Sequence, residues 1–185
     1  KSIMDKPTAP RRVVVGNNQN GKSGVLFDNA NPHQHNRGGG STIFFNEIWT
    51  FENCPIDLSD HKDAADRPMS HSPPENGAHF RVIQSDLENT NIIDQKSADD
   101  FFASMNVTGL SEKMDSKKHW NMHRTRTVDY GVVTKGSRIH VLPDKEIIMN
   151  QGDTVVQLGH FHSWDSSLGQ NEMLFIMIGG DKYGD

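Results

Sequence analysis

The sequence predicts a mainly β chain with one short helix, and three observations carry that expectation. Short runs of β-branched and aromatic residues recur along the chain and are cut by Gly, Asn, Asp and Pro. From Trp120 onward such runs follow one another with short turns between them, the pattern of a sandwich or barrel. Only one segment carries a helix start signal ahead of an apolar face, at Ser97.

Taken in order, Arg12–Val15 is a short apolar run stopped by Gly16-Asn17-Asn18, and Gly24–Phe27 is a second one ending at Asp28-Asn29. Asn31–Gly40, with Pro32, His33, His35 and three consecutive glycines, reads as a mobile surface loop, and the His33-x-His35 pair as a solvated turn. Thr42–Phe51 is rich in aromatic and β-branched residues and predicts a strand. Asp57–Pro74, acidic and poor in apolar residues, predicts a long loop. His79–Ile83 predicts a strand with Phe80 and Val82 on one face. Ser97 and Asp100 have capping-box spacing ahead of Phe101, Phe102 and Met105, with Gly109 as the stop; the apolar trio is a face for docking on the sheets.

Composition bounds the function. With 185 residues, 34% hydrophobic and 23% charged, the chain suits one well-buried domain. That domain divides into an N-terminal part of strands, loops and helix (1–116) and a barrel core (117–180). The net charge of −5 and the scattered basic residues exclude a nucleic-acid role. Apolar runs such as Met173–Ile178 are too short to span a bilayer, so no membrane partner is expected. Cys54 is the single cysteine, which rules out an intrachain disulfide and a Cys-based zinc site and suits the cytoplasm.

The chemistry concentrates in two stretches. In the first, His119–Gly136, alternation along a strand puts His123, Thr125, Thr127 and Asp129 on one side and Arg124, Arg126, Val128 and Tyr130 on the other. A row of His, Thr, Thr and Asp is costly to bury unless the groups meet partners, water or a ligand, and a lined cavity resolves that cost. In the second, Gly152-Asp153 signals a turn, Thr154–Leu158 a strand carrying Gln157, and His160, His162 and Trp164 share parity beyond it. His140, in Arg138–Val141, can face either way.

Together the two stretches resemble the paired motifs of the cupin superfamily. His123 matches the first His of its first motif, Asp129 the carboxylate and Gly136 the distal Gly, while Gly152 and His162 match the second motif. More loosely, Arg11–Val14, the Trp49 strand and Ser72–Arg81 are similar to a subgroup of small cupins from bacteria and fungi, some of them in biosynthetic pathways. Thr125 stands where a second His is usual and Asp129 where Glu is, so the usual three-His-plus-carboxylate metal cage is incomplete.

The resemblance implies a jelly-roll barrel holding a small-molecule substrate. The expected catalytic set is His123, His162 and Asp129, with Thr125, Thr127, Gln157, His160 and Trp164 as substrate contacts. The preferred reading is a redox-neutral step (dehydration, isomerisation, decarboxylation or cyclisation). In it, His123 or His162 is the general acid/base and Asp129 orients a histidine or raises its pKa. Two alternatives stand beside it: an iron-dependent dioxygenase and a non-catalytic ligand-binding cupin. The cofactor is either none or a divalent metal ion on His123, Asp129 and His162. A homodimer is expected, with the Arg12–Val15 strand as a candidate pairing edge.

Overall fold

The computed structural model describes residues 6–37, 41–85, 103, 111–113, 119 and 121–183. The helix expected over Ser97–Gly109 therefore lies outside the described residues, apart from Ala103, which is helical. The strands are β1 (Arg11–Asn17), β2 (Ser23–Ala30), β3 (Gln34–Asn36), β4 (Ile43–Phe51), β5 (Ala78–Ser85), β6 (Ser111–Lys113) and β7 (His123–Thr125). They continue with β8 (Thr127–Lys135), β9 (Ser137–Val141), β10 (Glu146–Asn150), β11 (Thr154–Leu158), β12 (Ser163–Asp165) and β13 (Asn171–Gly179).

Two sheets face each other. One has the order β11-β8-β13-β5-β4-β3 and the other β10-β9-β12. Reciprocal main-chain bonds between His123 and His162 (2.9 and 2.8 Å) join β7 to the β12 side of the smaller sheet. From β5 onward the chain alternates between the sheets: β5 in the first, β7 in the second, β8 in the first, β9 and β10 in the second, then β11, β12 and β13 in turn. That alternation, with antiparallel pairing throughout, is a jelly roll.

The barrel interior grades from apolar to polar along its length, with Ile83, Trp164, Phe175 and Met177 belonging to both parts. At one end Val133, Met149, Met173, Phe175 and Met177 pack with Ile83, Val155 and Trp164 into an apolar core. At the other end the inward positions are polar, because the alternation of β7 and β8 brings His123, Thr125, Thr127 and Asp129 inside before β8 reaches Val133. On β5 it is His79 and Arg81 that are almost fully buried, between Ala78 and Val82, while Phe80 is only half-buried.

The N-terminal strands differ from expectation in one respect. Within the segment read as a mobile loop, Gln34–Asn36 forms β3 and pairs with β4, because Gln34, His35 and Asn36 sit opposite Asn46, Phe45 and Phe44 and complete the sheet edge. His33 is no solvated turn residue either; its Nε2 lies 2.9 Å from Asp63. Asp63 also takes both terminal nitrogens of buried Arg12 (2.8 and 2.6 Å). Burial opposes the Asp63 charge, yet Arg12, His33 and the Ala65 N–H hold its pKa at about 2. That clamp ties the long loop after β4 to β1. β1 itself pairs with β2 in a separate two-stranded sheet.

Gly136 turns the chain from β8 into β9 with φ +68°, and a Cβ there would stand 2.2 Å from the Gln170 carbonyl oxygen. Since backbone rather than a flexible side chain is in the way, Gly136→Ala is expected to destabilise by more than ~1 kcal/mol. A urea midpoint equal to that of the parent chain would contradict this packing.

No helix among the described residues is long and apolar enough to cross a membrane.

Candidate functional site

The polar end of the barrel is built from β7, β8, β9, β11 and the approach to β12. His123, Thr125, Thr127 and Asp129 all point inward and are buried, as alternation requires. Arg124 points the other way, its guanidinium 3.8 Å from the Tyr183 ring centroid and 4.7 Å from that of Phe161. The Thr125 and Thr127 hydroxyls bond to each other at 2.6 Å, which satisfies them within the wall.

Asp129 and Gln157 are opposed in the β8–β11 register, and Gln157 Nε2 donates to Asp129 Oδ2 at 2.9 Å. Asp129 Oδ1 is buried and has no hydrogen-bond partner among the described residues. Burial pushes the carboxyl toward its protonated form, against the opposing bonds from Thr127 and Gln157.

Beside this acid lies a chain of imidazoles. The rings of His123 and His162 stand 4.8 Å apart. His71 meets His123 edge-on at 4.9 Å from one side. On the other side of His162 are His160 at 5.2 Å and His140 at 5.5 Å. His123 Nδ1 donates to the Asn121 carbonyl at 2.7 Å and His162 Nδ1 to the His160 carbonyl at 3.0 Å. In the neutral ring each bond leaves Nε2 with the lone pair. Burial, first among the causes, lowers the pKa of all five histidines; for His140 it reaches about 4, with His160 adding to the effect and Gln157 opposing it. The site therefore presents neutral imidazoles at neutral pH.

A cavity of about 80 Å³ opens among His71, His123, Asp129, Gln157, His162 and Trp164, with Thr125 also in its wall. Larger clefts elsewhere, near Gln84 and Glu172 and near Trp49 and Asp57, hold none of these groups.

The structure thus brings His123, Thr125, Asp129, Gln157, His162 and Trp164 to one space. Thr127 is buried behind Thr125 outside that lining, and half-buried His160 belongs to the histidine chain instead. Among the described residues Asp129 hydrogen-bonds Gln157 rather than a histidine, and main-chain carbonyls hold the His123 and His162 rings. His123, Asp129 and His162, the expected metal set, line one cavity, but among the described residues they are not the group whose ligand atoms all lie within 4.8 Å of one another. That group is His140, His160 and His162. The reason is the β8–β11 register, which hands Asp129 to Gln157, while β9 brings His140 against Trp164 (rings stacked at 4.3 Å) and so beside His162.

His71 and His140 went unassigned in the sequence. His71 sits in the irregular segment before β5, where no period reports direction. In Arg138-Ile139-His140 the structure buries Arg138 and His140 and leaves Ile139 partly outside, the reverse of an apolar-in pattern.

No protein-family model and no curated protein matches the chain. Solved structures similar to it include the Clostridium difficile EutQ protein, at 6% identity and a TM-score of 0.47 over 92% of this chain and 97% of that one. A putative ethanolamine utilization protein Q from Salmonella typhimurium LT2 is 7% identical, with a TM-score of 0.44 over 95% of this chain and 100% of that one. A cupin 2 conserved barrel domain protein from Rhodopseudomonas palustris is 10% identical, with a TM-score of 0.42 over 93% and 76%. Identities this low give no residue-by-residue correspondence, and the chemistry of the site rests on this chain's own side chains.

Proposed function

We propose that this cupin-type barrel is an enzyme that encloses a small polar metabolite and catalyses a redox-neutral proton-transfer step on it, a dehydration, isomerisation, decarboxylation or cyclisation. The observation that carries the reading is the pairing, on one cavity, of a neutral imidazole with a buried acid. His123 keeps its Nδ1 proton on the Asn121 carbonyl, so Nε2 is the basic atom, and Asp129 is shifted toward the protonated form. Environments that push two titratable groups in opposite directions assign base and acid roles at neutral pH.

In this reading His123 Nε2 accepts a proton from the substrate and Asp129 delivers one to the departing or rearranging oxygen. Gln157 holds the acid in place through its 2.9 Å bond, and Thr125 and Trp164 form part of the cavity wall. His162, 4.8 Å from His123, adds a second neutral imidazole to the cavity wall. At about 80 Å³ the cavity is below the ~300–1,000 Å³ that drug-sized ligands occupy, which favours a substrate of few heavy atoms.

The test is a panel of small hydroxy, keto and amino acids incubated with the protein in deuterated buffer and followed by NMR. Exchange or conversion of one panel member is expected, with His123→Ala lowering kcat by ~10²–10⁴-fold. Asp129→Asn is expected to lower kcat more than it raises KM. Turnover coupled to oxygen consumption, or undiminished turnover by His123→Ala, would overturn the assignment.

A further inference from the structure

Besides the acid/base pair, the polar end carries a second arrangement, on the far side of His162. His140, His160 and His162 form a triangle of rings with centroids 5.2, 5.5 and 5.7 Å apart. Three imidazoles radiating from one tetrahedral ion through bonds of ~2.0–2.1 Å would have centroids ~5 Å apart, so the triangle is of the size such an ion sets.

The individual nitrogens agree with that reading. His162 spends its Nδ1 proton on a main-chain carbonyl and so offers Nε2, the outer-shell bond that fixes a metal-binding imidazole. His140 Nε2 is buried with no hydrogen-bond partner among the described residues, a state that costs free energy unless a donor or a cation meets its lone pair. Trp164 stacks on the His140 ring at 12° and holds its plane. His160, half-buried, is the ring with room to close on an ion and the one open to its entry.

We propose that His140, His160 and His162 form a three-imidazole site for a late first-row divalent cation of the zinc or copper class, a set different from His123, Asp129 and His162. The donors select the ion. Imidazole suits zinc and copper, whereas the iron facial triad requires a carboxylate that this group lacks, Asp129 being held by Gln157. Three neutral ligands leave the cation its full double charge and an open position, as in sites that polarise a bound oxygen. The site stands whether or not His123 is the general base, because its test reads binding rather than turnover.

The full chain is stripped with chelator and titrated with Co²⁺ and then with Zn²⁺ against a chromogenic competitor, with circular dichroism as a fold check. Binding of about one equivalent is expected, with the intense visible bands that tetrahedral cobalt shows. His160→Ala is the decisive variant, since a half-buried ring can be removed with little strain on the fold. It is expected to weaken zinc by more than ~100-fold, beyond the ~10–100-fold cost of losing an outer-shell partner. His140→Gln is expected to act in the same direction. His123→Ala and Asp129→Asn are expected to bind within ~10-fold of the parent chain. Failure of the parent chain to bind stoichiometrically would overturn the site, as would undiminished binding by His160→Ala. Loss of binding confined to His123→Ala and Asp129→Asn would place the ion in the other set and overturn it equally.

Discussion

Glu47→Ala is expected to destabilise the protein by ~3–5 kcal/mol, the cost of leaving a buried charge without its counter-ion. Glu47 Oε1 lies 2.9 Å from Arg81 Nε, and the two side chains are 8% and 2% exposed. Arg81 does more than pair. Its terminal nitrogens donate to the His71 and Ser70 carbonyls at 3.0 and 2.9 Å, and one of them lies 2.6 Å from His79 Nδ1. The ion pair thus anchors the loop that carries His71 into the cavity wall. Urea denaturation measures the loss. Glu47→Gln, which keeps the shape and drops the charge, is expected to fall between the parent chain and alanine. Replacing both partners with Leu and Met is expected to recover part of the single-variant loss, since no orphaned charge remains. A loss under ~1 kcal/mol for Glu47→Ala would mean that water reaches Arg81.

Stability is expected to fall steeply once pH drops below about 6.5, the ordinary histidine value. His79, 1% exposed, has its pKa lowered to about 2 by burial and by the neighbouring Arg81 and Arg67 guanidinium groups. His119 is lowered to about 4, mainly by burial, and His71 well below its ordinary value by burial, His123 and Arg81. The sign follows from which state takes up protons. Below pH 6.5 the unfolded chain protonates these rings and the folded chain does not, so each pH unit of acidification favours unfolding. The loss continues for His119 until about pH 4 and for His79 until about pH 2.

Each such ring contributes up to ~1.4 kcal/mol per pH unit, so three of them remove ~4 kcal/mol per unit. Set against a total stability of ~5–15 kcal/mol, this places cooperative unfolding near ~pH 5 for the low end of that range and below ~pH 4 for the high end. Thermal melts in steps from pH 8 to 5 check it. A melting temperature flat across that range would mean that the rings are protonated or hydrated in the folded state.

Much of the fold was legible because strand signals are local. The runs at Arg12–Val15, Gly24–Phe27, Thr42–Phe51, His79–Ile83 and Thr154–Leu158 fall in strands apart from Thr42, one residue ahead of β4, and Gly152-Asp153 lies in the turn ahead of β11. β3 was missed because three residues beside a glycine run carry too little pattern; pairing with β4 makes it a strand.

What the sequence by itself determined is parity. A period of two forces His123, Thr125, Thr127 and Asp129 to one side of the chain wherever that chain lies, and the expense of burying them bare implies a polar hollow. Which groups share the hollow was decided only by tertiary structure. The β8–β11 register gave Asp129 to Gln157 rather than to a histidine. The jelly-roll crossing of β9 and β12 set His140 beside His162, and a loop with no period delivered His71 to His123. Parity is a property of neighbouring peptide units, whereas those meetings depend on strand partners and loop positions that neighbouring residues do not encode.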